Sequence, residues 1–296
     1  MNDQERDLIR YVCEGDIRKA QQQAKIILNG LPAKKDEQFK GNMLRKLDLK
    51  GNLIELPYNL KNFLVAEDMT NFPEARFLLR DEERSAVKKI LALYRASERL
   101  AEKGIPYLPA MMLHGKSGCG KTMLARYIAY KVELPFVYVN FSNLLDSHLG
   151  ATQGNLSRVF DYARHAPCIL CFDEIDAIGL SRGQRDDVGE MSRVVIALMQ
   201  ELDRLPGNVI IIGTSNRFDR LDPALVRRFP LQYEITPLSP EEAGLLARNF
   251  FNYADVDTAG EWFPTWLKKF TGPVPASTVV KECTEWIVNQ VLNQMK

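Results

Sequence analysis

One stretch limits what this chain can fold into more than any other: His114-Gly115-Lys116-Ser117-Gly118-Cys119-Gly120-Lys121-Thr122. From Gly115 to Thr122 it fits G-x-x-x-x-G-K-[ST], the phosphate-binding loop. The apolar run Ala110-Met111-Met112-Leu113 before it reads as a buried strand. Leu124, Ile128 and Val132 after it recur at helical spacing. A polyphosphate carries several negative charges, so its site needs many donors and little steric bulk. Glycines let backbone N–H groups converge on the phosphates, and a helix N-terminus adds the positive end of its dipole. In this pattern Gly115, Lys116, Ser117, Gly118, Cys119 and Gly120 form the cradle. Lys121 reaches the β/γ-phosphates and the Thr122 hydroxyl binds Mg²⁺. A nucleoside triphosphate is the expected ligand.

The rest of the chain arranges itself around that loop. Residues 1–48 read as an N-terminal helical segment. Leu8, Tyr11 and Val12 mark a first helix that ends at Gly15, and Ile17, Ala20, Ala24 and Ile27 stripe a second that stops at Asn29-Gly30. Phe39, Met43 and Leu47 mark a third. With 10 basic against 8 acidic side chains, this segment suits either a packed helical cap or a module that docks a partner. Residues 49–79, with Lys50-Gly51-Asn52, Pro57 and Pro73, read as a linker with room for a short hairpin.

A nucleotide-binding domain is expected over 80–237. It opens with an amphipathic helix carrying Val87, Ile90, Leu91 and Tyr94 that ends near Gly104. After the phosphate loop, strands at Pro135–Asn140, Cys168–Asp173, Asn208–Gly213 and Leu231–Ile235 alternate with helices. That alternation predicts an α/β fold, a parallel sheet flanked by helices, with the ligand beyond the carboxyl ends of the strands. Over 238–296 the strand pattern gives way to a helical lid. One lid helix starts at Ser239-Pro240-Glu241-Glu242 and another covers 276–295, with Trp262, Trp266 and Trp286 as its core.

Further chemistry lies at the predicted strand ends. Cys168-Ile169-Leu170-Cys171-Phe172-Asp173-Glu174 brings two acids out of a buried strand. Asp173 is suited to hold Mg²⁺, and Glu174 to orient and deprotonate a water attacking the γ-phosphate. The next strand ends in Thr214-Ser215-Asn216, where an amide can hold the same water or a γ-phosphate oxygen. Arg227 and Arg228 follow in Asp222-Pro223-Ala224-Leu225-Val226-Arg227-Arg228-Phe229; read alone, such a pair suits a surface.

These four elements, in this order, resemble the Walker A, Walker B, sensor 1 and arginine-finger motifs of the AAA+ ATPases. Within that superfamily they are similar to the classical AAA clade, including the Arg-Arg-Phe ending of its microtubule-severing and ESCRT-disassembly branch. The resemblance covers about 70–296. It implies an AAA+ core with a helical lid, ATP and Mg²⁺ as cofactors, and a homo-oligomeric ring, usually a hexamer. It also implies that Arg227 and Arg228 reach the γ-phosphate of a neighbouring subunit. Backbone near Ala276, in a lid without a sensor-2 arginine, would contact the nucleotide. In the corresponding pore segment Ser147, His148, Leu149 and Gly150 stand where the clade carries a basic residue, a bulky aromatic, an aliphatic and glycine. Histidine in the aromatic position implies a weak grip on polypeptide. Gln184-Arg185-Asp186-Asp187 fits either a second pore loop or a surface loop. A motor that remodels protein clients is expected, its N-terminal helices recruiting a client or adaptor; the alternative is a nucleic-acid-associated AAA+ switch, a loader or transposition regulator.

Charge favours the first reading. The chain has 39 basic and 38 acidic side chains and a formal net charge of +1, which gives no global field for nucleic acid or membrane. The polar start Met1-Asn2-Asp3-Gln4-Glu5 and the lack of a long apolar run lead to an expected cytoplasmic location. Five scattered cysteines argue against a disulfide framework, and the C-x-x-C of Cys168 and Cys171 sits in an apolar run where buried strand thiols are expected.

Overall fold

The computed structural model describes residues 3–14, 17–30, 56–105, 107–145, 149–178 and 188–294. The chain divides into two units, Met1–Asn52 and Leu53–Lys296. In the first, α1 (Asp3–Cys13) packs against α2 (Ile17–Gly30). Asp3 and Glu5 in the first turn of α1 and Arg10 in its last complement the helix dipole. Ala20, Ala24 and Ile27 are half-buried and Leu28 is buried, whereas Ile9, Val12 and Ile26 are exposed. The third helix expected over residues 35–47 lies outside the described residues.

The second unit contains β1 (Leu64–Glu67), α3 (Asp81–Glu102), β2 (Ala110–His114), α4 (Lys121–Val132), β3 (Phe136–Val139), α5 (Phe141–Leu145) and α6 (Leu149–His165). There follow β4 (Ile169–Phe172), α7 (Val188–Leu202), β5 (Ile210–Ser215), α8 (Pro223–Val226) and β6 (Leu231–Glu234). The six strands form one sheet in the order β1-β3-β4-β5-β2-β6. Every pairing is parallel except β1 with β3, where Leu64 faces Val139 and Glu67 faces Phe136.

The segment expected as a linker with a hairpin is therefore different. Among residues 56–79 no hairpin forms; a four-residue strand instead completes the sheet edge. Leu64 is buried in the core while Val65 faces outward, so pairing with the edge of β3 buries more apolar surface than a two-stranded hairpin could. The segment is then fastened to α4. Arg126 donates to both carboxylate oxygens of Glu67 at 2.6 and 2.8 Å, Lys131 donates to Glu74 at 2.6 Å, and Phe72 and Phe77 pack on Tyr127.

Strand residues alternate between two cores. Met112, Val137, Leu170, Phe172 and Ile211 join α6 and α7 on one face; Met111, Leu113, Phe136, Cys171 and Ile212 join α3 and α4 on the other. Both faces being covered, the strands read as near-continuous apolar runs. Cys168 and Cys171 belong to opposite cores, so their C-x-x-C spacing does not make a pair. Burial pushes the Cys168 thiol up to about 12 and Cys171 in the same direction, which keeps both inert.

The lid consists of α9 (Pro240–Tyr253), α10 (Trp262–Leu267) and α11 (Ala276–Gln294). Ser239 and Glu242 form a reciprocal capping box at the start of α9, behind which Pro240 supplies a preset φ. Phe251 is the buried centre of the lid, met edge-on by Trp262, Phe263, Trp266 and Trp286. The three tryptophans are lid core, as their sequence suggested. No described helix is long and apolar enough to cross a membrane.

Candidate nucleotide-binding site

Strand β2 lies between β5 and β6, while β3 and β4 continue the sheet beyond β5. This topological switch leaves a crevice at the carboxyl end of β2, where the chain turns into the loop 115–120. Two glycines there have no substitute. Gly115 has φ 135° and a Cβ on it would fall 2.2 Å from the Ile235 carbonyl oxygen. Gly118 has φ 77° and its Cβ would fall 2.2 Å from Ser277 Oγ. The second approach belongs to a direct link between lid and loop: Ser277 N–H donates to the Gly118 carbonyl at 2.9 Å.

Lys121 begins α4 and is only 7% exposed. Its Nζ donates to the carbonyls of Gly115 (2.9 Å) and Lys116 (3.0 Å) and to Asn216 Oδ1 (2.7 Å). Burial pushes its pKa below the usual lysine value, while Cys119 and the carboxylates of Asp173, Asp176 and Glu174 pull it back up. All three acceptors are neutral oxygens, which phosphate oxygens can replace with stronger charge-assisted bonds.

Thr122 Oγ1 donates to Asp173 Oδ1 at 2.9 Å, and Thr214 Oγ1 donates to the same oxygen. Thr214 Oγ1 in turn accepts from Glu174 N–H at 3.0 Å. A buried threonine in β5 thus fixes the end of β4 and aims both acids. Glu174 takes a left-handed backbone (φ 51°), a conformation that costs energy for a non-glycine residue and turns its carboxylate outward from the strand. Its Oε1 accepts from Asn216 Nδ2 at 3.3 Å, and Asn216 N–H donates to Asp176 Oδ1 at 3.1 Å. The adjoining Thr122 hydroxyl and Asp173 carboxylate are hard oxygen donors, the set that suits Mg²⁺ when phosphates and water supply its other ligands. Among the described residues no group of three or more His, Cys, Asp and Glu forms a separate metal cluster.

These side chains border one cleft of about 390 Å³. Ser117 to Thr122, Asp173, Glu174 and Asn216 line it, with Ala276 at the start of α11. Beyond the phosphate loop it is apolar, walled by Phe77, Leu78, Leu246, Phe250 and Val280. The sequence reading missed this end of the cleft, because residues 73–78 read as linker. The apolar Phe77-Leu78-Leu79 directly before α3 was the available signal.

Arg227 and Arg228 stand elsewhere, beside a separate hollow bordered by Tyr107, Leu108, Leu202 and Leu205. Arg228 donates to both Asp203 oxygens (3.2 and 3.1 Å) and to the Ala224 carbonyl (2.9 Å). Arg227 is exposed, and its guanidinium has no hydrogen bond or ion pair among the described residues. Leu149 and Gly150 open α6; His148 and residues 184–187 lie outside the described residues.

A switch-point crevice, a glycine loop opening a helix and paired acids at the end of β4, with β5 between it and the loop's strand, define a P-loop nucleoside triphosphatase. Residues 111–237 match the family described as ATPase family associated with various cellular activities (AAA). Peroxisomal ATPase PEX6 of Arthrobotrys oligospora is 40% identical over 152 residues, 49% of this chain and 13% of that protein. Peroxisomal ATPase pex6 of Schizosaccharomyces pombe is 36% identical over 167 residues, 54% of this chain and 17% of that protein. The Uncharacterized AAA family ATPase y4kL of Sinorhizobium fredii is 32% identical over 155 residues, 52% of this chain and 46% of that protein. The matched stretch spans less than half the length of each of these relatives. The family match covers less than half of the chain; together with these relatives and the geometry of the cleft it supports membership of the AAA+ ATPase superfamily.

Proposed function

We propose that the chain couples ATP hydrolysis to the remodelling, disassembly or unfolding of protein clients, as a cytoplasmic homo-oligomeric ring of the hexameric kind. One spatial observation carries this reading. Lys121, Thr122, Asp173, Glu174 and Asn216 meet in one cleft, while Arg227 and Arg228 stand outside it. Arginines away from their own cleft are placed to serve that of a neighbouring copy, which makes hydrolysis depend on assembly.

In the proposed mechanism Lys121 exchanges its loop carbonyls for β/γ-phosphate oxygens. Glu174 takes the proton of the attacking water, and Asn216 holds that water or a γ-phosphate oxygen. Thr122 and Asp173 hold Mg²⁺, which when bound offsets charge on the phosphates. Backbone at Ala276 lets the lid follow the nucleotide. Arg227 and Arg228 stabilise the charge that develops in the adjoining site. The N-terminal helices recruit the client or adaptor, and His148, Leu149 and Gly150 grip it weakly in the pore, which suits loosely folded clients.

Affinity capture with Glu174→Gln in ATP tests the reading. The amide is a poor base, so ATP stays bound, the assembly persists and protein clients remain trapped. Turnover at the wild-type rate by that variant would remove the general-base assignment. Stimulation of the wild-type ATPase by DNA and not by unfolded protein, with steeply salt-dependent DNA binding, would replace the protein-remodelling reading with the nucleic-acid switch.

A further inference from the structure

The apolar end of the cleft contains two charged side chains that no motif accounts for, Glu83 and Arg76. Glu83 is already engaged. Arg80 clasps its Oε1 from Nε (2.9 Å) and Nη2 (2.6 Å), and the Arg80 N–H donates to Oε2 at 3.0 Å. Arg76 differs. It sits in a 3₁₀ turn, Glu74–Arg76, against which α9 packs. Its guanidinium lies over the Phe250 ring at 5.8 Å and the Tyr253 ring at 5.5 Å, both on that lid helix. That guanidinium has no hydrogen-bond or ion-pair partner among the described residues.

A guanidinium presents five donors in a planar fork and no acceptor. Two aromatic faces hold this one at the cleft wall, beside Phe77 and Phe250, so its donors are preorganised rather than free to sweep through solvent. A triphosphate seated on residues 115–122 directs its base to this apolar end. Donors without an acceptor select the base edge richest in acceptors. Among purines, only the O6/N7 edge of a 6-oxopurine places two acceptors side by side; adenine sets its own N6 donor next to N7.

We propose that Arg76 is a specificity-determining residue of this cleft, donating to the base and admitting 6-oxopurine nucleotides, GTP and ITP, beside ATP. The inference rests on the reading of the cleft as a nucleotide site. Its consequence is a motor that tolerates changes in the purine better than an all-apolar base pocket with adenine-matched backbone groups would.

Calorimetric titration of the full chain with ATP, GTP and ITP, each with Mg²⁺, tests it through the ratio of Kd values. Arg76→Ala should raise the GTP-to-ATP ratio by roughly tenfold or more, the loss expected of one bidentate base contact. Arg76→Lys should raise it as well, because an ammonium keeps the charge and the aromatic contact but not the fork. Loosening of the lid alone would weaken all three nucleotides together and leave the ratio unchanged, and that result overturns the proposal. Wild-type protein that binds ATP but shows no such change on substitution sinks this inference alone. Wild-type protein that binds no nucleotide sinks the reading of the cleft and this inference with it.

Discussion

Asn216 accepts a 2.7 Å hydrogen bond from Lys121 Nζ and donates to Glu174 Oε1 at 3.3 Å, so one amide joins the phosphate-binding ammonium to the proposed base. The orientation is forced, since an ammonium has only donors and a carboxylate only acceptors. Lys121→Ala should abolish ATP binding, because it removes a buried charge facing the β/γ-phosphates. Asn216→Ala should leave ATP bound but cut kcat by about 10²-fold, the scale of losing one preorganised polar group at the reacting centre. Titration and steady-state kinetics separate the two. Equal loss of affinity in both variants would mean that Asn216 only holds Lys121 in place.

The arginine pair separates in the same way. Arg228 is tied to Asp203 and the Ala224 carbonyl, whereas Arg227 has no such ties. The ion pair is partly exposed, so Arg228→Ala should cost under about 1 kcal/mol in folding stability and Arg227→Ala close to nothing. Both should keep nucleotide affinity and lose about 10³-fold in ATPase rate if they act across an interface. Mixing Arg227→Ala with Lys121→Ala protein should restore part of the activity, one copy supplying the cleft and the other the arginine. Demonstrated co-assembly without recovery would assign Arg227 to its own subunit.

A pH effect is expected from the strand that feeds the loop. His114 stacks on Phe218 with centroids 4.1 Å apart and planes 13° apart. Burial pushes its pKa below the usual 6.5; the Glu234 carboxylate opposes this and Lys121 adds to it. The unfolded chain therefore takes up the proton at a higher pH than the folded one. Below about 6.5, down to the folded value, the unfolded state binds more protons, so stability falls as pH falls. His114→Phe keeps an aromatic ring for the stack and removes the titration. Denaturant midpoints of the variant should decline less between pH 7 and 5.5 than those of the wild type; parallel slopes would assign the acid sensitivity to other groups.

Legibility in the sequence followed the length of each signal. Strand–helix alternation after the phosphate loop predicted the parallel sheet, because buried strands such as Ile169–Phe172 have no polar face to blur them. The chemistry at strand ends was legible too, since Asp173 and Asn216 each follow an apolar run, and Thr122 stands at a fixed place in the glycine loop's pattern. What failed was short or partnered at a distance. Leu64–Glu67 has four residues and a partner in β3, so nothing local marked it as a strand. Thr214 reads as an ordinary strand residue, and its grip on Asp173 exists only once β4 and β5 are paired. Arg76 looked like a linker charge, and its setting depends on Phe250 and Tyr253 in the lid.

The contact between lid and loop yields the last expectation. Gly118 holds φ 77°, its carbonyl accepts from Ser277 N–H at 2.9 Å, and a Cβ would fall 2.2 Å from Ser277 Oγ and 3.3 Å from Ser277 Cβ. Gly118→Ala therefore has two separable costs. One is backbone strain of about 1–2 kcal/mol for a left-handed alanine, paid wherever the lid stands. The other is steric, and it pushes the start of α11 away from the loop. ATP affinity should fall more than thermal stability, because the displaced helix carries Ala276 and Val280 out of the cleft wall. Ser277→Ala removes the hydroxyl that makes the closest clash and keeps the N–H that binds Gly118. The Gly118→Ala/Ser277→Ala double variant should recover part of the lost affinity while Ser277→Ala alone changes little. The strain portion has no such remedy, so recovery should be incomplete. Double-variant affinity no better than that of Gly118→Ala would show that loop conformation, and not the lid contact, sets the affinity of this cleft.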